Sequence, residues 1–365
     1  MMKHFSVLIK PASSLCNLNC KYCFYHDVTT NRDTKSYGVM PTETSHQLID
    51  RVYEFCKEQT IINFAFQGGE PLVAGIEYFD DFIAYANLKN TKNHKINFIL
   101  QTNGTLINED WCTLFKKFHF LIGVSLDGFE RIHNKNRLDY SDNKTHELIM
   151  NNISLLKKHC IDFNILTVLT KELSAYPNEL FDFYKTNDFK YIQLIPCLSD
   201  LDKETEYALT PKAFYKFYNV FFQLWFKELQ KGNYISVTYF ENIIPLFAGI
   251  APSQCGYLGK CTLQFVIEGN GNVYPCDFYA YDKYYLGNIV DMSIEELRQS
   301  PKAKEFLLEN KKTCTRCQKC QFYSICFGQC KRLSTCYYDD DYCGLEKFMS
   351  RNIDKILEAS KYFKN

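Results

Sequence analysis

This sequence has no excess of charge of either sign, no long apolar run and no secretion signal. Lys plus Arg and Asp plus Glu balance at 42 each over 365 residues. No global field therefore draws the chain to nucleic acid or to an anionic membrane, and any partner is recognised locally. It also lacks a Lys/Arg-rich run, which argues against a nucleic-acid-modifying enzyme. The N-terminal Met-Met-Lys-His-Phe-Ser has neither the apolar stretch nor the small-residue cleavage site of a signal peptide. Glu241 and Asn242 interrupt the best apolar candidate, near Ile235 to Ile250, so no segment reads as a bilayer span. No coiled-coil pattern is present, which favours a monomer. The expected setting is the reducing cytoplasm, with no membrane and no nucleic acid.

What is abundant is cysteine. With 46% hydrophobic and 23% charged residues the chain is otherwise an ordinary globular protein, long enough for two domains. Seventeen cysteines, an odd number, argue against a complete disulfide framework within one chain. In a reducing compartment such clusters mean metal or redox chemistry.

The first cluster is Cys16-Asn-Leu-Asn-Cys20-Lys-Tyr-Cys23, spaced C-x3-C-x2-C after the strand Phe5–Lys10. Three soft thiolates on one loop can hold three irons of a four-iron cluster and leave the fourth without a protein ligand. An open position can bind substrate, as in open zinc sites. A zinc knuckle or three buried thiols are the alternative readings.

Downstream, strand candidates alternate with helical patterns: Ile62–Gln67, Ile96–Thr102, Leu121–Leu126, Phe163–Leu169 and Tyr191–Pro196. Apolar Leu48, Ile49, Val52, Phe55 and Cys56 mark one such helix. Repeated strand-then-helix units predict a parallel sheet curling toward a partial (β/α)6 barrel. The last helix of this part, Pro211 to Lys231, carries Phe214, Tyr218, Phe221 and Trp225 on one face, read as core. Ligands gather at the carboxyl ends of such strands. There the sequence places Gln67-Gly68-Gly69-Glu70-Pro71, Gln101-Thr102-Asn103-Gly104 and Ser125-Leu126-Asp127-Gly128, whose glycines also fit simple turns. Arg137 is either solvated or free to engage a carboxylate bidentately. His133 has no second ligand at metal spacing and reads as structural.

After the turn Lys231-Gly232-Asn233 the cysteines become dense, giving expected domains at 1–233 and 234–365. Glu268-Gly-Asn-Gly271, flanked by apolar residues, predicts a β-hairpin that brings Cys261 and Cys276 together. Cys317, Cys320, Cys326, Cys330 and Cys343 form the other half, and Cys255 completes eight thiolates, enough for two closed four-iron clusters. Zinc is the alternative for the C-x2-C pair. Cys314 could replace Cys317, and Cys336 lies between Cys330 and Cys343; both are read as non-ligands. Cys56, Cys112, Cys160 and Cys197 are read as small buried hydrophobes on strands or helices.

These motifs resemble the radical S-adenosylmethionine (SAM) superfamily, and the cysteine-rich half is similar to its SPASM extension. The surroundings are narrower. Leu8-Ile-Lys-Pro-Ala-Ser-Ser14, Cys23-Phe-Tyr-His26, Ser36-Tyr-Gly38, Ala65-Phe-Gln-Gly-Gly-Glu-Pro71 and Leu100-Gln-Thr-Asn-Gly-Thr-Leu106 look like anaerobic sulfatase-maturating enzymes. The resemblance implies three [4Fe-4S] clusters and SAM as cofactors. It assigns Cys16, Cys20 and Cys23 to the SAM cluster; Cys255, Cys261, Cys276 and Cys330 to one auxiliary cluster; and Cys317, Cys320, Cys326 and Cys343 to the other. SAM contacts fall on Tyr22, Gly69, Ser125, Arg137 and Leu198. Asp277, after Cys276, coincides with the catalytic aspartate and is the expected proton acceptor. The implied reaction is oxidation of a cysteine or serine to Cα-formylglycine. The implied partners are an unfolded sulfatase segment bearing Cys/Ser-x-Pro/Ala-x-Arg and an electron donor such as ferredoxin or flavodoxin.

The nearest rival is a SPASM-type maturase that forms a thioether or other crosslink, or epimerises a residue, in a peptide. Only about a dozen residues precede the cluster loop, fewer than a separate leader-gripping domain requires, which favours direct recognition of a short motif. A rival of another class is a non-enzymatic iron–sulfur or zinc protein that carries electrons or binds a partner, with no use for Gln67–Glu70.

Overall fold

The structure, a computed structural model, describes residues 2–311 and 314–363. Its strands are β1 (Lys3–Ile9), β2 (Thr60–Phe66), β3 (Lys95–Thr102), β4 (Leu121–Ser125), β5 (Phe163–Leu169), β6 (Tyr191–Pro196), β7 (Ser236–Val237), β8 (Val266–Ile267), β9 (Asn272–Tyr274) and β10 (Gly287–Asn288). The first six coincide with the runs expected from sequence, and β5 and β6 do so residue for residue. The chain is a mixed α/β fold built on a parallel sheet, as expected.

Two compact units are formed, and neither is a continuous stretch. One comprises the described parts of Met1–Ser125, Asn134–Phe163 and Thr262–Glu309; the other comprises those of Leu126–His133, Asn164–Cys261 and Asn310–Asn365.

In the first unit β1, β2, β3 and β4 pair in parallel in chain order. Period-two burial sets their register: Ile62, Phe64 and Phe66 of β2 are fully buried and alternate with half-buried residues. The helix Thr42–Phe55 follows Pro41 and buries Leu48, Ile49 and Val52, as the pattern predicts. The hairpin predicted around Glu268–Gly271 is β8 and β9, with Val266 opposite Tyr274 and Ile267 opposite Val273. Gly271 takes φ 84°, and a Cβ there would lie 2.7 Å from Asn288 Oδ1, so this turn needs glycine. The hairpin adds to the barrel sheet: β8 lies parallel to β1, with Leu8 against Val266 and Ile9 against Ile267. That pairing sets the residues after β9 beside those after β1.

In the second unit β5, β6 and β7 are parallel. The aromatic helix Pro211–Gln230 starts from Thr210, whose hydroxyl accepts from Ala213 N, with Pro211 at its first position. Its stripe is core, as expected: Phe214, Tyr218, Phe221 and Trp225 are at most 1% exposed. It packs against the helix Gly344–Ser360, with Phe222 edge-on to Phe348 at 5.5 Å. Among the described residues no helix is long and apolar enough to cross a membrane.

Candidate active site

The cluster loop leaves β1 through the turn at Pro11–Ser14 and carries Cys16, Cys20 and Cys23, all half-buried. Polar groups converge on its sulfurs. Leu18 N lies 3.4 Å from Cys16 Sγ, Asn103 Nδ2 lies 3.8 Å from the same sulfur, and Arg137 Nη1 lies 4.0 Å from Cys20 Sγ. Burial pushes the Cys16 thiol up to about 11 and raises that of Cys23 as well. Amide and guanidinium donors aimed at sulfur suit thiolates that a metal has stripped of protons, so these residues fit an iron–sulfur cluster. Among the described residues no three His, Cys, Asp or Glu side chains are grouped to hold a single metal ion.

Around the loop, Arg137 is buried rather than solvated and stands over the Tyr22 ring, 5.5 Å from its centroid. Gly69 has φ 52°, and a Cβ there would be 2.2 Å from Leu15 O. The close approach lets Glu70 N donate to Leu15 O at 2.7 Å, tying the glycine turn to the cluster loop. The Glu70 carboxyl is fully buried and accepts from Asn103 N, Thr102 Oγ1 and Leu72 N. Burial outweighs these donors and raises its pKa to about 7. Ser125 ends β4, half-buried. Leu198 follows β6 in the second unit, where its carbonyl accepts from Cys197 Sγ at 3.8 Å. His133 is fully buried, its Nδ1 accepting from Asp127 N, a structural role as expected.

Asp277 belongs to the first unit and is 6% exposed. Because β8 pairs with β1, and β1 with β2, the ends of three strands supply its neighbours. Tyr25 OH donates to Asp277 Oδ2 at 2.6 Å, and Gln67 Nε2 donates to the same oxygen at 2.7 Å. Lys10 Nζ lies 3.2 Å from Oδ1 and 3.4 Å from Glu268 Oε1. Glu268 is completed by Arg32 Nη2 at 2.6 Å and by the Ser13 hydroxyl at 2.8 Å. Burial alone would raise the pKa of Glu268, but Lys10, Arg32 and Ser13 hold it below the usual range. Burial and the Asp277 charge keep the Tyr25 phenol protonated, and so a donor. Lys10, Tyr25, Arg32 and Glu268 carried no role in the sequence reading, because nothing local shows that residues more than two hundred positions apart meet.

The remaining expected ligands, Cys255, Cys261, Cys317, Cys320, Cys326, Cys330 and Cys343, lie in the second unit, and Cys276 lies in the first. Cys314 Sγ is 3.6 Å from Cys317 Sγ, so the two stay interchangeable in position. Cys336 donates its thiol to Cys197 O at 3.5 Å. Cys56, Cys112 and Cys197 are buried, but Cys160 is exposed at a turn with φ 52° and is not the core residue expected.

Comparison with known proteins accords with this arrangement. Residues 11–184 match the radical SAM superfamily model, and residues 259–321 match that of an iron–sulfur cluster-binding domain, SPASM. A cysteine-type anaerobic sulfatase-maturating enzyme from Clostridium novyi is 38% identical, covering 99% of this chain and 98% of the relative. The chain belongs to the anaerobic sulfatase-maturating family. A second cysteine-type member, from Clostridium perfringens, is 41% identical over 100% of both chains. A serine-type enzyme from Bacteroides thetaiotaomicron is 28% identical, covering 90% of this chain and 83% of the relative. The solved structure of native anSMEcpe with bound AdoMet superposes with a TM-score of 0.91 at 38% identity, covering 98% of this chain and 99% of that one. As a member of this family the chain is a radical SAM enzyme.

Proposed function

We propose that this enzyme oxidises a cysteine in a sulfatase segment to Cα-formylglycine, with Asp277 as the proton acceptor. When bound by Cys16, Cys20 and Cys23, the SAM-binding cluster supplies the chemistry that removes a hydrogen from the substrate Cβ. The chain's own residues then take a proton. Tyr25 and Gln67 donate to Asp277 Oδ2, whereas Oδ1 takes no side-chain hydrogen bond of good geometry among the described residues and is ion-paired with the Lys10 ammonium at 3.2 Å. This asymmetry carries the reading, because two donors fix the carboxylate through Oδ2 and leave Oδ1, held by a single ion pair, as the oxygen to accept the substrate's thiol proton. Its neighbour Cys276 is a proposed ligand of an auxiliary cluster, so proton acceptor and electron acceptor are adjacent. Tyr22, Gly69, Ser125, Arg137 and Leu198 are the proposed SAM contacts.

Identity of 38–42% to the cysteine-type relatives, against 28–29% to the serine-type ones, supports cysteine as the preferred residue. A further solved structure, native anSMEcpe with bound AdoMet and Cp18Cys peptide, supports a peptide as substrate. The proposed functional division is a barrel at 1–233 and a two-cluster domain at 234–365, although Thr262–Glu309 packs in the first unit and residues 164–233 in the second. Ferredoxin or flavodoxin is the proposed electron donor, and the enzyme acts as a monomer. The test is Asp277→Asn. SAM cleavage should persist while formylglycine falls by about 10²-fold or more, the usual contribution of a positioned base; full aldehyde yield would discard the role.

A further inference from the structure

The loop between Cys326 and Cys330 has an unusual backbone. Phe327, Gly328 and Gln329 have φ of 46°, 67° and 53°, three successive left-handed residues of which only one is glycine. Non-glycine residues are disfavoured in that region, so something must hold the loop. The Lys311 ammonium does so, donating to the carbonyls of both Phe327 and Gln329. Its stem lies over Gly328, where a Cβ would come within 3.0 Å of Lys311 Cε and Nζ. The loop it holds is bounded by Cys326 and Cys330, proposed ligands of different auxiliary clusters.

Gln329 is an independent observation. It is 1% exposed, yet neither its Oε1 nor its Nε2 has a hydrogen-bond partner among the described residues. A buried amide is costly to leave this way, and Gln329 adjoins Cys330 in the chain. Its unpartnered amide is a candidate donor to a cluster held by that cysteine.

We propose that Lys311 is a positioning residue shared by both auxiliary clusters, holding the loop that joins their ligands and lending each its positive charge, with the Gln329 amide as a hydrogen-bond donor beside it. The inference rests on the ligand sets given above. Cluster potentials follow net charge and hydrogen bonds to sulfur, so a shared cation makes both clusters easier to reduce and keeps their potentials linked.

The test is potentiometric titration of the reconstituted enzyme, followed by electron paramagnetic resonance, for wild type, K311M, K311R and Q329L. Iron and sulfide are counted for each. K311M should keep its iron and move both auxiliary signals to lower potential, K311R should stay with wild type, and Q329L should move at least one signal the same way. If K311M loses a cluster, K311R with full iron and wild-type potentials still supports the role. Unmoved potentials in iron-replete K311M, a shift in only one cluster, or loss of iron in K311R as well would each overturn it. A wild-type chain that binds the iron of a single cluster overturns instead the ligand reading on which the inference stands.

Discussion

At the scale of residues, the site is a buried charge network in which Lys10 and Arg32 balance Glu268 and Asp277. Removing one partner of a buried pair leaves the other uncompensated, at a cost of about 3–5 kcal/mol. K10M should therefore unfold at clearly lower temperature than wild type, and an unchanged melting point would contradict the network. Tyr25→Phe is milder: it removes one donor to a carboxylate, about 1.5–3 kcal/mol. Formylglycine formation should drop roughly tenfold or more, with deoxyadenosine release falling less; equal rates in the two proteins would remove Tyr25 from the account. Glu70 gives a pH signature. Its folded pKa of about 7 lies above the ordinary 4.5, so the folded state binds the extra proton between those values. Stability should fall as pH rises through that window. Glu70→Gln should be less stable overall, since its amide faces donors, but its stability should vary less with pH there. Parallel curves for the two proteins would show that Glu70 does not titrate.

At the scale of elements, the strands were legible because period-two burial is a local signal: β2 and β3 fall within two residues of their expected bounds. The cluster loop and the glycine turn were legible for the same reason, being short and chemically unusual. What could not be read was where the hairpin docks. β8 is two residues long, and its partner β1 lies more than two hundred positions away, so neither propensity nor turn chemistry encodes the pairing. Without it the neighbours of Asp277 stayed invisible. The tie between the glycine turn and the cluster loop predicts that Gly69→Ala, which puts a Cβ 2.2 Å from Leu15 O, displaces the loop. That variant should bind less iron and release little deoxyadenosine; wild-type iron content and SAM cleavage would contradict the tie.

At the scale of the whole molecule, strands and long helices frame both units, whereas within the second the stretch from Cys314 to Cys343 has only short helical turns around its cysteines. Under the proposed ligand sets, a segment so poor in regular structure is expected to take its stability from bound metal. Chelating the iron should leave the far-ultraviolet circular dichroism largely intact while opening this stretch to proteolysis, and uniform resistance would contradict that dependence. The division into units was itself hidden from sequence, because a linker at Gly232 is a local mark whereas Thr262–Glu309 returns to the first unit through sheet pairing.

The central claim is that Asp277 receives the proton released as a substrate cysteine becomes formylglycine. The most direct measurement is the ratio of aldehyde formed to deoxyadenosine released, for wild type and D277N, on peptides carrying Cys-x-Pro-x-Arg, with hydrazine trapping and mass spectrometry. The account predicts a ratio near one for wild type and a collapse of that ratio in D277N while deoxyadenosine is still released. Deoxyadenosine without aldehyde from the wild-type enzyme, or an unchanged ratio in D277N, would contradict it.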